Sequence, residues 1–536
     1  MALGRPHGRR GGEDGRALIR RLRCLRGEVE AVLEIRPLHD FDRAAEVTPV
    51  PGGVRLNVGG RVLGLWSSHP LQVEVGGAVA PVRLAEGEEV WAILGFGEVA
   101  VDPAGWSAER AQAATDKAVR YWHDWASKLA CGGVRAERIR RSALTVHLLG
   151  YAPTGAMVAA PTTSLPERLG GDRNWDYRYA WVRDASLCVE ALAGLDDREA
   201  GRCYLDWLVE FCVSNEDPLQ IAYRVDGGKE LGATERTDLH GYRGSNPVRI
   251  GNDACGQHQL DSLGYLAACV LTYLEHGGEW RDDYWDLVHH ATDFTTAHWR
   301  EPDSGIWELS ERQHFVSGKV MAWVALDRAV KIAERVGRAD HAEADGWRTT
   351  MAEIHAEVMD RGWSDSLGAF RQRYEADTLD AAALLIPIMG FLPPDHPRVL
   401  ATVDRIAEGL TIDGFVHRFV PAASPDKRDR PVQDLPVGEF EGAFLPCTFW
   451  LATVYARLGR TEPAEAILAR AEAAAGELGL FAEEIDARSG TFLGNTPLLF
   501  AQIEYVRAAL ALSPPAPHPA GSLPRSVATE WRRQAK

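Results

Sequence analysis

From about residue 135 apolar residues recur at helical spacing. Twelve such segments follow one another, roughly 135–150, 184–195, 197–213, 252–276, 280–299, 317–336, 340–360, 377–388, 396–409, 441–457, 461–477 and 495–511. A helix with an apolar stripe has to bury it against a neighbour, so twelve in succession constrain each other. Six helical hairpins stacked in order can close into a toroid, and the run predicts a mainly α fold, an (α/α)6 barrel. Connections after even-numbered segments are mostly short, as at Asp196 to Asp197, Gly337 to Asp340 and Leu458 to Thr461. Those after odd-numbered segments are long and rich in Trp, Tyr, Arg and Asp. When helices alternate up and down, every odd-to-even loop lies at the same rim, so that rim is expected to bind and the opposite one to be structural.

Ahead of this run, to about residue 130, the period is two. Val29, Ala31, Leu33 and Ile35 alternate with Glu28, Glu30 and Glu34, and Val54, Leu56, Val58 and Leu71, Val73, Val75 repeat the pattern between Gly-Gly and Pro-Gly turns. Short strands so punctuated predict a β-sandwich. A chain of 536 residues exceeds what one core usually serves. The expected division is a β-sandwich domain over 1–130, a catalytic barrel over 131–512 and a Pro-rich tail, beginning SPPAPHPAGSLPRS, over 513–536.

With 76 Asp and Glu against 59 Lys and Arg, the formal net charge is −17, which works against nucleic acid or an anionic membrane as the main partner. The eight cysteines show no CxxC pair and read as reduced core residues. The basic start, MALGRPHGRRGGEDGR, lacks the apolar segment of a secretory signal, and no run is long enough to span a bilayer. The expected location is the cytoplasm. No HExxH or other ligand-spaced histidine cluster occurs, and GRPHGRRGG follows no strand and lacks the Lys-Ser/Thr of a phosphate loop, so neither a metal nor a nucleotide cofactor is expected. Oligomeric state is left open.

The first long loop, TTSLPERLGGDRNWDYRYAWVRDAS from Thr162 to Ser186, sets Trp175, Tyr177, Tyr179 and Trp181 beside Asp176, Arg183 and Asp184. Flat rings next to charged hydrogen-bonding forks suit a sugar, whose C–H face stacks and whose hydroxyls are gripped. From the loop alone, an aromatic core stripe with a surface Arg–Asp pair is the more ordinary reading. Its segment RNWDYRYAWVRD, however, resembles the signature of glycoside hydrolase family 15, the glucoamylases, glucodextranases and bacterial trehalases. Further segments are similar in the same order: GYRGSNPVRIGNDACGQHQLD at 241–261, SGIWEL at 304–309, KVMAWVALDRA at 319–329, EGAFLPCTFWLA at 441–452 and LFAEEIDARSGTFLGNTP at 480–497.

The resemblance implies an inverting exo-acting α-glucoside hydrolase whose small-carbohydrate substrate is α-linked. It implies that Arg183 and Asp184 grip the non-reducing-end glucose and that Tyr177 sits beside the reacting carbon. Glu308 follows Ile306 and Trp307, an apolar collar of the kind that keeps a carboxyl protonated near neutrality. In the family the glutamate of this Trp-Glu pair is the general acid. Of the adjacent Glu483 and Glu484, the family pattern puts the general base at the first. Trp175, Trp181 and Trp307 are expected at the sugar. Arg243, Asn252, Arg418 and Glu441 fall in matching segments, where sugar contact and a salt-bridge or capping role are both open. Trp323 and Trp450 lie within helices and are expected in the core.

The resemblance implies a longer β-domain, with the match expected to begin partway through it near RRLRCLRGEVEAVLEIRPLHDFDR, either because the sandwich is truncated or because the start codon is assigned too late. HFVSGKVMAW and GNTPLLFAQIEYV also depart from the usual family pattern, which bears on substrate choice. A trehalase-type activity leads, a glucoamylase-type activity on maltodextrins or isomaltosaccharides is the alternative, and a catalytically lapsed sugar-binding or regulatory protein is the reading from another class.

Overall fold

The strands expected at the start pair antiparallel into two sheets. The structure is a computed structural model and describes residues 16–96, 102–213, 219–338, 342–420, 437 and 441–513. The chain divides into two compact units between Lys128 and Leu129. In the first, five strands run in the order Arg16–Arg23, Glu89–Phe96, Arg61–Ser67, Gly53–Val58 and Glu46–Val50, and three in the order Glu28–Ile35, Gly77–Ala85 and Gln72–Glu74. Val54, Leu56 and Leu65 of the larger sheet share a buried cluster with Ala78 of the smaller one. The alternation holds at Val54 and Leu56 but not at Val73 and Val75, which are exposed.

Strand-like pattern does not extend to residue 130. Ala108–Ser127 is a 20-residue helix, α1, opened by the Ser107 hydroxyl accepting from the Arg110 N–H at 3.2 Å. Six alanines and a Ser N-cap favour helix there, and no turn interrupts it.

The second unit is mainly helical. Its helices are α2 (Ala136–Leu148), α3 (Val182–Ala193), α4 (Arg198–Leu208), α5 (Asp261–Glu275), α6 (Asp283–His298), α7 (Val316–Arg335), α8 (Ala342–Arg361), α9 (Leu385–Ile388), α10 (Pro397–Gly409), α11 (Leu445–Arg457), α12 (Thr461–Ala475) and α13 (Leu499–Leu512). Contacts run from α3 to α5, α7, α9, α11 and α13 in turn, and α13 returns to α3. Around these, α4 packs on α3, α6 on α5, α8 on α7, α12 on α11 and α2 on α13.

Sequence pattern explains the two layers. In α11, Leu445 through Val454 are all buried, as expected of a helix apolar on every side. In α12 only Ala464, Ile467, Leu468, Ala471 and Ala475 are buried, a single stripe at helical spacing. The connections alternate as expected, short after α3, α7 and α11 and long after α2, α4, α6, α8, α10 and α12.

Several helices begin later than the periodicity predicts. Asp253–Gly256 is a separate turn capped by the Asn252 side chain, so α5 starts at Asp261. Ala443–Phe444 is extended, pairs with Glu484–Ile485, and hands over to α11 with Pro446 in its first turn. The segment expected at 377–388 is a tight turn over Ala381–Leu384 running into the single-turn α9. In each case residues with helix-compatible spacing are held in loop geometry by contacts distant in the chain. From residue 514 the Pro-rich tail lies outside the described residues.

Candidate active site

Five of the six long connections meet at one cavity of about 420 Å³ in the helical unit, within the usual range for small-molecule sites. Short β pairings fix the connections. Ala180–Trp181 pairs with Ala222–Tyr223 just before α3, and Ala443–Phe444, Glu484–Ile485 and Phe492–Leu493 form a three-stranded ribbon before α11 and α13.

Two carboxyl groups on the cavity wall are each held by a residue of the first long connection. The Trp181 indole N–H donates to Oε1 of Glu308 at 2.8 Å, and the Tyr177 hydroxyl donates to Oε1 of Glu483 at 2.6 Å. The Tyr177 and Trp181 rings meet edge to face, with centroids 5.4 Å apart, so one aromatic pair positions both acids.

Glu308 stands in the left-handed backbone region at φ +58°, in a turn begun by Gly305 at φ +65°. A non-glycine residue there costs about 1–3 kcal/mol, and such strain collects at functional sites. The turn is fixed by the Leu309 N–H donating to Ser304 O at 3.0 Å and by the Gln257 side chain donating to Glu308 O at 3.0 Å. Buried Trp307 and Leu309 flank it, and the Trp307 N–H donates to both carboxylate oxygens of Asp380 at 3.0 Å. The Glu308 side chain itself remains 21% exposed, toward the cavity.

Burial pushes the Glu308 carboxyl above the ordinary range, while Arg183, whose Nη1 lies 3.6 Å from Oε1, and the Trp181 hydrogen bond pull it back. Burial and then the Glu167 carboxylate push Glu483 up to about 8, against the Tyr177 hydrogen bond and the Arg418 and Arg173 charges. Strand alternation turns Glu484 away from Glu483: its Oε2 accepts the Gly442 N–H at 2.8 Å, and it is absent from the cavity wall.

Arg183 and Asp184, in the first turn of α3, pair through Nε and Oδ1 at 2.7 Å, and Arg183 also donates to Ile306 O at 3.1 Å. Both line the cavity, as do Trp175, Tyr177, Trp181, Asn252, Trp307 and Arg418. Glu441 does not. It is buried behind the wall and accepts from Arg418 Nε at 2.7 Å. Arg243 is not at the cavity either. It is exposed in a turn at φ +50°, with its guanidinium over the Tyr242 ring. Six residues on, Arg249 lines the cavity instead, stacked over Trp175 and bonded to Glu235 at 3.0 Å. The Thr234–Arg236 and Val248–Ile250 pairing turns Arg249 inward.

Glu167, Arg173, Arg249 and Asp380 were missed by sequence reasoning. Glu167 and Arg173 lie within the loop that drew attention, but charges flanking glycines read as solvated surface. Trp450 is buried against Trp307, whereas Trp323 is only half-buried. Among the described residues seven cysteines are free thiols, four of them buried and Cys131, Cys203 and Cys255 partly buried. Glu167, Glu441 and Glu484 are spaced as a cation could require, but Arg173 and Arg418 donate to the Glu167 and Glu441 carboxylates and supply countercharge. Among the described residues no helix is long and apolar enough to cross a membrane.

Two carboxyls, one buried and one half-buried, facing one pocket lined by aromatic rings and an Arg–Asp pair are the arrangement of a glycoside hydrolase. The model of glycosyl hydrolases family 15 matches residues 133–510, and the chain belongs to that family. A trehalase from Mycolicibacterium smegmatis is 38% identical over 507 residues, covering 92% of this chain and 73% of that protein. A trehalase from Mycobacterium tuberculosis is 36% identical over 513 residues, covering 92% and 72%. In fold, a bacterial glucoamylase complexed with acarbose superposes with a TM-score of 0.65 at 13% identity, over 87% of this chain and 74% of that one.

Proposed function

We propose that the chain hydrolyses α,α-trehalose with inversion, Glu308 acting as general acid and Glu483 as general base. The observation that carries this reading is the pair of carboxyls held by Trp181 and Tyr177 on a single cavity. Trehalase relatives over most of the chain support the substrate. The cyclic helix contacts support an (α/α)6 barrel, and the two sheets a β-sandwich, with 131–512 as the catalytic domain.

In this mechanism glucose enters with its hydroxyls on Arg183 and Asp184 and its C–H face against the rings of Trp307 and Trp181. Protonated Glu308 donates to the glycosidic oxygen as the bond to the anomeric carbon breaks. Ionised Glu483 takes a proton from a water molecule that attacks the opposite face, an arrangement needing roughly 6.5–9.5 Å between the carboxyls. Tyr177 holds Glu483 in the attacking orientation. The first product is β-glucose from the attacked ring, with the other glucose leaving as the α anomer.

The test is incubation with trehalose, maltose, isomaltose and soluble dextrin, with the released anomers followed by proton NMR. Trehalose turnover with equal initial α and β signals is expected. Initial α-glucose alone would refute inversion, and turnover confined to dextrin would move the activity to the glucoamylase type.

A further inference from the structure

Behind Glu483 lies a buried group in which oxygens of Glu167, Glu441 and Glu484 all fall within 4.8 Å of one another. Two arginines are built into it. Arg173 Nε donates to Glu167 Oε2 at 2.6 Å, and Arg418 Nη2 donates to the same oxygen at 3.1 Å while its Nε bonds Glu441. Arg418 Nη2 also stands 3.5 Å from Glu484 Oε1. With Glu483, four carboxyls share two cations, and so many like charges in a dry site do not all ionise. Burial, then Glu441 and Glu167, push the Glu484 carboxyl far up, as burial and Glu167 push Glu483, whereas the arginines hold Glu167 down against its burial. Glu167 and Glu441 then balance the arginines, and Glu167 alone of the three lines the cavity with Glu483.

We infer that Glu167 is a positioning residue for the base, its ion-paired carboxylate on the shared wall setting the pH at which Glu483 gives up its proton. This rests on Glu483 being the base. The charged and titratable groups acting on Glu483 are Tyr177, Glu167 and Arg173 from the connection before α3, Arg418 from that before α11 and its chain neighbour Glu484, with Glu308 on the same cavity wall. Of these, Glu167 is the anion acting most strongly to raise Glu483.

Neutralising Glu167 removes that repulsion and leaves the arginines in excess, so Glu483 ionises more easily. Glu167→Gln is expected to move the pH optimum of kcat/KM on trehalose down by about one unit. Glu167→Asp, which keeps the charge, is expected to restore most of it. Arg173→Met acts with the opposite sign and moves the optimum up, which keeps the test decisive if the Gln variant does not fold. An unmoved optimum with a raised KM would make Glu167 a sugar contact and overturn the inference, as would a shift of the same sign in the Gln and Met variants. Wild-type enzyme that turns over trehalose, with Glu483→Gln inactive, shows the base assignment standing independently of these outcomes.

Discussion

The phenol of Tyr177 donates a 2.6 Å hydrogen bond to Oε1 of Glu483, from a loop more than three hundred residues earlier in the chain. Bonds to a charged acceptor in a dry site are worth about 1.5–3 kcal/mol. Tyr177→Phe is therefore expected to lower kcat about 10–100-fold with little change in KM. Because that bond favours the ionised carboxylate, its loss raises the proton affinity of Glu483 and moves the pH optimum upward. Steady-state kinetics across pH check both, and a downward shift would contradict the geometry.

Both cavity carboxyls are raised from the ordinary value of 4.5, Glu483 to about 8. The proposed mechanism requires one protonated and one ionised, so the bell-shaped profile centres between the pair's two titrations. An optimum above the range of free carboxylic acids is expected in buffers from acid to alkaline, and a maximum within that range would refute it.

The same shift bears on stability. An acid whose folded value lies above its unfolded one is destabilising when ionised, and the penalty grows as pH rises from about 4.5 toward 8. Glu483→Gln escapes it. That variant should lose orders of magnitude in kcat yet match or exceed wild type in Tm, by a few degrees at pH 8 and less at pH 5. Calorimetry at the two pH values checks the sign.

Gly494 adopts φ +71°, and a Cβ there would stand 2.5 Å from Glu483 Oε2. Gly494→Ala combines backbone strain with displacement of the Glu483 carboxyl. It is expected to lower kcat about tenfold or more while costing about 1–2 kcal/mol of stability, read by kinetics and thermal melting together. Activity within twofold of wild type would count against Glu483 as the base.

Arg249 and Arg243 offer a paired comparison. Arg249→Ala removes a cavity-wall guanidinium and is expected to raise KM for trehalose several-fold, whereas Arg243→Ala, at an exposed turn, should leave kcat and KM within twofold. The reverse result would place the sugar against a different part of the 234–250 hairpin.

The helical run was legible because burial imposes its period on each segment locally, so the twelve segments and their alternating short and long links stand in the sequence itself. The helix Ala108–Ser127 escaped because the strand period was carried past Glu89–Phe96, although the turn Pro103–Gly105 separates strand from helix. Glu308 and Glu483, Arg183 and Tyr177 were found through motif segments whose order in the chain is specific. The sequence thus determined the helical architecture, the family and the residue types available for catalysis. Only tertiary structure decided which charges share the site: Glu483 faces the cavity and Glu484 the opposite way, Arg249 enters where Arg243 does not, and Glu167 meets Arg418 across 251 residues. Local pattern cannot encode such choices, because the field at a buried carboxyl is the sum over groups that the fold alone brings within a few ångströms.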